Sequence, residues 1–402
     1  MRPASLLLIC REGYEATLAQ EAVARLGGGV RAEARAGHVV LPGMEAAPQG
    51  PVSPFIFEHQ RLPQATLVAA GAPDSPGLLA TAAAAAGQAM QALPPGAPWV
   101  LHTMAAPDAP AKLLPPLESA LDDALCAALT ARRQPADTAP AEAWVLQWLL
   151  TREGIWQALC PRDRLSSPWP GGAHHARRDD AAPSRSTLKL EEALALMDDP
   201  PRPRARAIDL GAAPGGWSYA LLKRGCRVLA VDNGPLTIEH LDELPGELTH
   251  LRADGMTFKP PAAWLPADWW VSDMLVPPGK ALGLLRRWLG QGWCRRFVVN
   301  FKLPQANPLP ALAPVQDYLA SLAGVRWHLR HLYHDRQEVT LFGWLDARQT
   351  AAQPGAERHA PGRKPAGDRV PGQRPAAKAG RPAPRPSRRG RGRGTRRPGG
   401  RP

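Results

Sequence analysis

The feature that most constrains the fold lies between residues 207 and 232. An apolar segment containing Asp209 leads into the turn Gly211-Ala212-Ala213-Pro214-Gly215-Gly216, a helical stretch from Trp217, and a second apolar segment closed by Asp232. A strand, a glycine-rich turn, a helix and an acid about 20 residues further on form the layout of a nucleotide-binding βαβ unit. Glycine is needed where backbone approaches a ligand closely. The pattern predicts a ligand site at the carboxyl end of a parallel sheet.

The chemistry of this turn favours one type of ligand. It differs from G-x-G-x-x-G, because Asp209 precedes its first glycine and Pro214 interrupts it, leaving fewer backbone donors for a pyrophosphate. A cationic nucleoside without phosphates, such as S-adenosylmethionine, suits it better. Asp232 is placed to accept both ribose hydroxyls of such a ligand.

Further strands and helices alternate in the second half of the chain. Apolar segments predict strands at 248–252, 269–271, 296–300 and 339–344, and helices at 280–289 and 314–323. A first helix opens near Ser184, with Ser or Thr able to cap it. This alternation predicts a mainly parallel, doubly wound sheet with its site outside the carboxyl ends of the strands.

The first 170 residues have a separate pattern. Strands are predicted at 6–10, 38–42, 65–69, 99–102 and, as the last one, 144–150; helices are predicted at 15–26, 78–93 and 114–132. Repeated strand–helix–strand order predicts a ferredoxin-like α+β region with additions. Residues 161–183, rich in Pro, Gly, His and Arg, form the predicted connection between domains.

The basic charge is concentrated at one end of the chain. Formal net charge is +13, yet beyond residue 350 the acidic residues are only Glu357 and Asp368, among many arginines. We therefore expect a balanced body and a disordered basic tail over 348–402 that increases the encounter rate with RNA. The alternative is a solvated, dispensable extension.

Cysteine spacing and hydropathy indicate the compartment. Five scattered cysteines without a C-x-x-C pair argue against a disulfide framework or a zinc site, so no metal is predicted. No apolar run approaches 18 residues, so no membrane span is expected. The expected compartment is the cytoplasm, and nothing in the sequence demands more than a monomer.

Four charged residues occupy positions where a doubly wound fold places its ligands. Asp273 and Lys302 follow predicted strands, Glu338 precedes the last one, and Lys189 lies on the first helix of the domain. Singly, each has an ordinary explanation: an aspartate at a strand end is often a cap, and a lysine or glutamate there is usually solvated.

Together these residues resemble a known set. The sequence is similar to the FtsJ-type ribose 2′-O-methyltransferases, which use a Lys-Asp-Lys-Glu tetrad, and most of all to the RlmM family, the bacterial 23S rRNA cytidine 2′-O-ribose methyltransferases. The resemblance is strong over 183–345 and weaker over 1–170. It is carried by residues 183–193, Val231-Asp232-Asn233-Gly234-Pro235, Gly292-Trp293-Cys294-Arg295 and Leu332-Tyr333-His334-Asp335-Arg336.

The resemblance implies a domain plan. It places a ferredoxin-like, THUMP-containing RNA-binding region at 1–170, a Rossmann-like methyltransferase domain at 171–347, and the basic tail, which lies outside the family pattern, at 348–402. The implied partner is 23S rRNA, either naked or in an early large-subunit precursor.

The resemblance also implies residue roles. Lys302 is the general base, with Lys189 as the second cation, Asp273 orienting Lys302 and Glu338 balancing both lysines; a lysine acts as a base only when burial or a neighbouring cation lowers its pKa. The implied S-adenosylmethionine-binding residues are Ser186, Ala213, Pro214, Gly215, Gly216, Asp232, Asp254 and Asp273. Asp254 is placed to accept from the adenine amino group, its ordinary alternative being a turn-forming Asp-Gly.

Other functions stay open from the residues alone. A methyltransferase acting on another RNA, on a base or on a small molecule is one, although Asp273-Met274 differs from the motif of base N-methylation. Cytosine C5 methylation needs a nucleophilic cysteine, and Cys294 lies away from the carboxyl end of its strand. A non-catalytic RNA-binding ribosome assembly factor is the remaining alternative.

Overall fold

The computed structural model describes residues 4–345 except 28, 45–54, 74, 76 and 127–138. The predicted tail over 348–402 and the end of the helix predicted at 114–132 lie outside these residues.

The N-terminal part is built on a seven-stranded, largely antiparallel sheet. Its strands are β1 (Ser5–Ile9), β2 (Glu33–Arg35), β3 (His38–Pro42), β4 (Gln60–Ala70), β5 (Trp99–Ala105), β6 (Trp144–Thr151) and β7 (Gly154–Pro161), in the order β2-β3-β1-β4-β7-β6-β5. Only β5 and β6 pair in parallel. The helices are α1 (Glu15–Leu26), α2 (Leu78–Met90) and α3 (Leu114–Cys126).

The prediction that the strand at 144–150 is the last of this region is wrong. A tight turn after Thr151 reverses the chain into β7, which pairs with both β6 and β4. Gly154 makes this possible, because its φ is +134° and a Cβ there would lie 1.9 Å from the Ala69 carbonyl oxygen. The short edge strand β2 was also missed, since its charged sequence Glu-Ala-Arg carries no apolar signal.

The second sheet also has seven strands, and its core is parallel. Its strands are β8 (Arg206–Leu210), β9 (Arg227–Val231), β10 (Glu247–Leu251), β11 (Ala267–Ser272), β12 (Cys294–Lys302), β13 (Val325–Arg330) and β14 (Glu338–Leu345), in the order β10-β9-β8-β11-β12-β14-β13. The five strands from β10 to β12 are parallel, whereas β14 runs antiparallel to β12 and β13. The predicted α/β class is confirmed.

Helices cover both faces of this sheet. They are α4 (Thr187–Met197), α5 (Gly216–Lys223), α6 (Pro278–Gly290) and α7 (Leu309–Ala320). On the α6 face, the stacked rings of Trp270 and Trp288 have centroids 4.6 Å apart. On the α4 and α5 face, Leu190, Leu221 and Val228 belong to one buried cluster. Burial on both faces explains the continuous apolar strands.

Three local predictions need correction. The helix predicted at 314–323 begins earlier, at Leu309, and contains Pro314, whose missing N–H removes one hydrogen bond while Leu312 and Val315 stay buried. Strand β13 was missed because its buried and half-buried residues do not alternate regularly. No serine or threonine side chain caps α4; instead the Thr187 hydroxyl donates to the Ser184 carbonyl at 2.8 Å.

Side chains connect the two sheets directly. The buried guanidinium of Arg330, at the end of β13, donates to the carbonyls of Glu58, His59 and Ser166. Arg11 donates to the Asp335 carbonyl at 2.9 Å. The domain boundary at residue 170 stays a prediction. Among the described helices, none is both long and apolar enough to cross a membrane.

Candidate active site

A cavity of about 480 Å³ opens at the carboxyl ends of the parallel strands. Asp209, Gly211 and Met274 contribute to its wall. The predicted cofactor-binding residues that line it are Ser186, Ala213, Pro214, Gly216, Asp232, Asp254 and Asp273. Gly215 does not line it; with a φ of +118°, it precedes α5 and packs against Ile238.

The protein's own packing requires the glycines of the turn. A Cβ at Gly211 would lie 2.4 Å from Met274 Cγ, and one at Gly216 would lie 2.3 Å from Ser184 Oγ. Glycine therefore lets the turn approach the neighbouring loops as well as a ligand. Beneath it, the buried Asp209 carboxylate accepts from Ser218 Oγ at 2.7 Å. Burial raises the pKa of Asp209 to about 7 despite this bond.

The two acids at the edge of the cavity have local hydrogen bonds. Asp232 Oδ2 accepts from the Ala213 N–H at 3.0 Å and its Oδ1 from the Gly234 N–H at 2.6 Å. Asp232 thus holds the turn while facing the cavity. Asp254 accepts from the Met256 N–H at 2.9 Å, so its side chain stabilises a turn. The same residue also lines the cavity.

Beside this cavity, four charged side chains meet in a closed ring. Lys189 Nζ donates to Asp273 Oδ2 at 2.8 Å and to Glu338 Oε1 at 3.2 Å. Lys302 Nζ donates to Asp273 Oδ1 at 3.2 Å and to Glu338 Oε2 at 3.0 Å. Each lysine contacts both acids, so charges alternate around the ring. Asp273 lines the cofactor cavity, which places the ring at its wall.

Strand register explains how residues distant in sequence converge. In the antiparallel β12–β14 pair, Lys302 lies opposite Glu338, and Asn300 lies opposite Thr340 on the same face. Asp273 follows β11, the parallel neighbour of β12. Lys189 enters from α4 and is only 7% exposed.

The electrostatics of the ring differ from the expectation for a general base. Burial would lower the pKa of Lys302, but the Asp273 and Glu338 carboxylates outweigh it and raise that pKa above its usual value. Burial would raise the pKa of Glu338, yet Lys189 and Lys302 hold it below its usual value. The pKa of Lys302 is thus raised rather than lowered, because the neighbouring anions outweigh desolvation.

A buried chain of hydrogen bonds, whose residues Asn300, Thr340 and Asp335 have no predicted role, lies behind the ring. Asn300 Nδ2 donates to Asp273 Oδ1 at 2.7 Å, and Asn300 Oδ1 accepts from Thr340 Oγ1 at 2.8 Å. Thr340 Oγ1 also lies 2.9 Å from Asp335 Oδ2. The Thr340 hydroxyl has one proton for these acceptors, and a proton on Asp335 lets Asp335 donate to Thr340 Oγ1 while Thr340 donates to Asn300. Burial raises the pKa of Asp335 well above its usual value, in agreement with a neutral acid.

This chain fixes the orientation of Asp273. The signal that could have found Asn300 is its position two residues before Lys302, since alternate residues of a strand share a face. Thr340 lies two residues after Glu338 on β14, so these two residues also share a face. Asp335 gives no such signal, because it lies in a loop.

Doubly wound strands, a glycine turn and a cavity at the carboxyl edge fit an S-adenosylmethionine-dependent methyltransferase, and the comparison with protein families shows that class. The FtsJ-like methyltransferase family model matches residues 182–282. The ribosomal RNA large subunit methyltransferase M of Thauera aminoaromatica is 34% identical over 361 residues, covering 84% of this chain and 95% of that protein. This chain therefore belongs to the ribosomal RNA large subunit methyltransferase M family.

Two further relatives have the same name. The protein from Halorhodospira halophila is 34% identical, with 84% of this chain and 95% of its own length covered. The one from an Azoarcus species is 42% identical over 202 residues, covering 48% of this chain and 54% of that protein.

Proposed function

We propose that this chain methylates the 2′-hydroxyl of a cytidine ribose in 23S rRNA, acting as a monomer in the cytoplasm. The observation that carries the proposal is the ring of Lys189, Asp273, Lys302 and Glu338 at the wall of the cofactor cavity. Family membership supports the rRNA substrate, and the relatives' name specifies the large subunit.

The ring matches the requirements of a ribose nucleophile. A sugar hydroxyl has a pKa far above 7, so it needs a proton acceptor during attack. S-adenosylmethionine, when bound, supplies an electrophilic methyl group on a sulfonium. We infer that Lys302 Nζ takes the hydroxyl proton in the fraction of molecules where its amine is neutral, as the oxygen–methyl bond forms and the carbon–sulfur bond breaks.

The other three members hold the reacting groups in place. Lys189 shares both carboxylates with Lys302 and presents a second cation to the ribose oxygen. Asp273, oriented by Asn300, fixes the Lys302 ammonium, and Glu338 balances the charge of both lysines. Alignment of two bound reactants supplies most of the rate in such a site.

Ser186, Ala213, Pro214, Gly215, Gly216, Asp232, Asp254 and Asp273 are the proposed cofactor-binding residues. We also infer that residues 1–170 bind RNA as a THUMP-containing region, that 171–347 form the methyltransferase domain and that 348–402 form an RNA-attracting tail. No metal takes part in the proposed reaction.

The assignment of Lys302 is tested by Lys302→Ala. Transfer of labelled methyl to 23S rRNA from a strain lacking the gene is expected to disappear, while S-adenosylmethionine still binds by calorimetry. Lys259→Ala, which changes an exposed lysine, is the control. Turnover retained by Lys302→Ala would exclude it as the base.

Mass spectrometry of nuclease digests separates the alternatives. Appearance of a 2′-O-methylcytidine supports the proposal, whereas a base-methylated nucleoside would indicate different chemistry. If no nucleoside changes in wild-type protein and RNA still binds, the chain acts as a non-catalytic assembly factor.

A further inference from the structure

A second cavity, of about 440 Å³, lies next to the cofactor cavity. Ser184 lines both, so the two openings share a wall. The second cavity is bounded by residues 176–179, by α4 and by α5. Its α4 wall contains Thr187, Leu188 and Glu191, and Lys189 of the catalytic ring lies on the same helix.

The acidic groups of this cavity are already neutralised. Lys223 Nζ donates to Asp179 Oδ2, and Arg224 Nη1 donates to Glu191 Oε1 at 2.8 Å. The remaining charged side chains of the wall are Arg177, Arg178 and Arg185. All three are exposed, and no acceptor contacts their guanidinium groups within the described part of the chain. The cavity thus presents three free arginines.

An exposed aromatic ring lies near the same segment. Tyr333 is 38% exposed, and it is the aromatic member of the small set of large apolar side chains exposed in the described residues. Its ring centroid lies 5.7 Å from that of His175, two residues before Arg177. Glu192 of α4 accepts from the Tyr333 N–H at 2.8 Å, which fixes the backbone beneath the ring.

Free guanidinium groups, with an exposed aromatic ring packed on His175 two residues before Arg177, suit one polymer. Arginine binds phosphate oxygens through parallel N–H donors, and unstacked bases pack on aromatic faces. In a duplex the bases are stacked internally, so an aromatic platform selects single-stranded RNA. A phosphate site close to Lys189 would also fix the strand on which the target ribose lies.

We propose that Arg177, Arg178 and Arg185 bind phosphates of a single-stranded RNA segment flanking the target nucleotide, and that Tyr333 stacks on one of its bases. This inference rests on the proposed function, because it assumes an RNA substrate. It assigns RNA contacts to the segment before α4, outside the N-terminal region expected to bind RNA.

The test uses full-length protein and a fluorescently labelled RNA that spans the target site in an unpaired segment. The triple variant Arg177→Gln, Arg178→Gln, Arg185→Gln is expected to weaken binding at least about tenfold near 0.1 M salt. The slope of log affinity against log salt concentration should become shallower by roughly 2. Each phosphate contact with a single strand contributes about 0.7 to this slope, and the variant removes three. Affinity for S-adenosylmethionine should not change.

A matched control removes the same charge from the opposite edge of the sheet. Arg202, Arg204 and Arg295 are exposed at the amino-terminal ends of β8 and β12, and their glutamine triple variant should keep the wild-type slope. Tyr333→Ala should weaken single-strand binding and leave binding of the same RNA as a duplex unchanged. Tyr333→Phe, which keeps the aromatic ring, should bind the single strand as wild type does.

The outcomes separate the two proposals. If wild-type protein methylates the RNA but both triple variants show the wild-type slope, the phosphate site is refuted and the proposed function stands. Equal losses in both triple variants would also refute the site, because they show only a general charge effect. If wild-type protein methylates no RNA, the proposed function itself fails.

Discussion

Lys302 lies between two carboxylates that raise its pKa, so its neutral form is scarce near pH 7. Below that pKa the neutral fraction grows tenfold with each pH unit. If Lys302 is the base, the logarithm of the single-turnover rate should rise with a slope near one between about pH 6.5 and 9. Single-turnover assays at saturating S-adenosylmethionine measure this slope, and a flat wild-type profile would contradict the assignment.

Glu338→Gln sharpens this prediction. The change removes one of the two anions that raise the pKa of Lys302. The lowering effect of burial is then opposed by Asp273 alone, so the pKa falls. The profile of this variant should reach its plateau at a lower pH than wild type, whatever its maximal rate. A plateau at unchanged or higher pH would show that Glu338 does not control the titrating group.

Asp209 links the pKa of a single group to stability. Burial raises its pKa to about 7 in the folded chain, against about 4 for an unfolded aspartate. The folded state therefore binds the extra proton, and this contribution to stability is lost as pH rises from about 4 to about 7.

The variant Asp209→Asn has no carboxyl to titrate and keeps an acceptor for Ser218. Between about pH 5 and pH 8 it should lose less unfolding free energy than wild type, by at most about 3 kcal/mol at 1.4 kcal/mol per pKa unit, because about two of the pH units between the folded and unfolded pKa lie in this interval. Urea unfolding at about pH 5 and pH 8 measures the difference, with the exposed Asp242→Asn as control. Parallel losses in wild type and Asp209→Asn would contradict it.

The junction of the turn with α5 shows how closely two elements approach. A Cβ at Gly216 would meet Ser184 Oγ at 2.3 Å and Ser186 Oγ at 2.9 Å, and both serines line the cofactor cavity. Gly216→Ala should therefore displace them and weaken S-adenosylmethionine binding about tenfold, or about 1.4 kcal/mol, as measured by calorimetry.

Gly283→Ala is the matched control within a helix. Gly283 is exposed in α6, and a Cβ there has nothing within 4 Å. Alanine should leave cofactor affinity unchanged and stabilise the helix by up to about 1 kcal/mol. Equal cofactor affinities in the two alanine variants would show that the close contact at Gly216 does not affect S-adenosylmethionine binding.

The same elements show what the sequence could predict. Strands β8 and β9 were predictable because parallel strands buried on both faces are continuous apolar runs, and the glycine turn between them has few alternatives. Strand β7 was missed, since recognising its hairpin depended on Gly154 fitting against β4. Convergence of Lys189 with Lys302 needed the resemblance to a family, because no local pattern encodes the placement of α4 against β14.

The two sheets are held together by groups close to the ring of four charged side chains. Tyr14, after β1, donates to the Arg336 carbonyl at 2.9 Å, and Arg11 donates to the Asp335 carbonyl. These carbonyls belong to the loop that leads into Glu338. Leu8 and Phe57 of the N-terminal part share one apolar cluster with Trp270 of the second sheet. The N-terminal part thus holds the loop that leads into Glu338 in place.

Arg330 is the central polar element of this contact, and its loss has a definite consequence. Arg330→Ala leaves the carbonyls of Glu58, His59 and Ser166 without their buried donor. The unfolding free energy should fall by about 3 kcal/mol, and kcat should fall because the loop from His331 to Glu338 loses its support. Arg326→Ala, on the same strand but exposed, should change neither. Urea unfolding and steady-state methylation assays measure the two effects, and a stable Arg330→Ala protein with wild-type kcat would show that the sheets act independently.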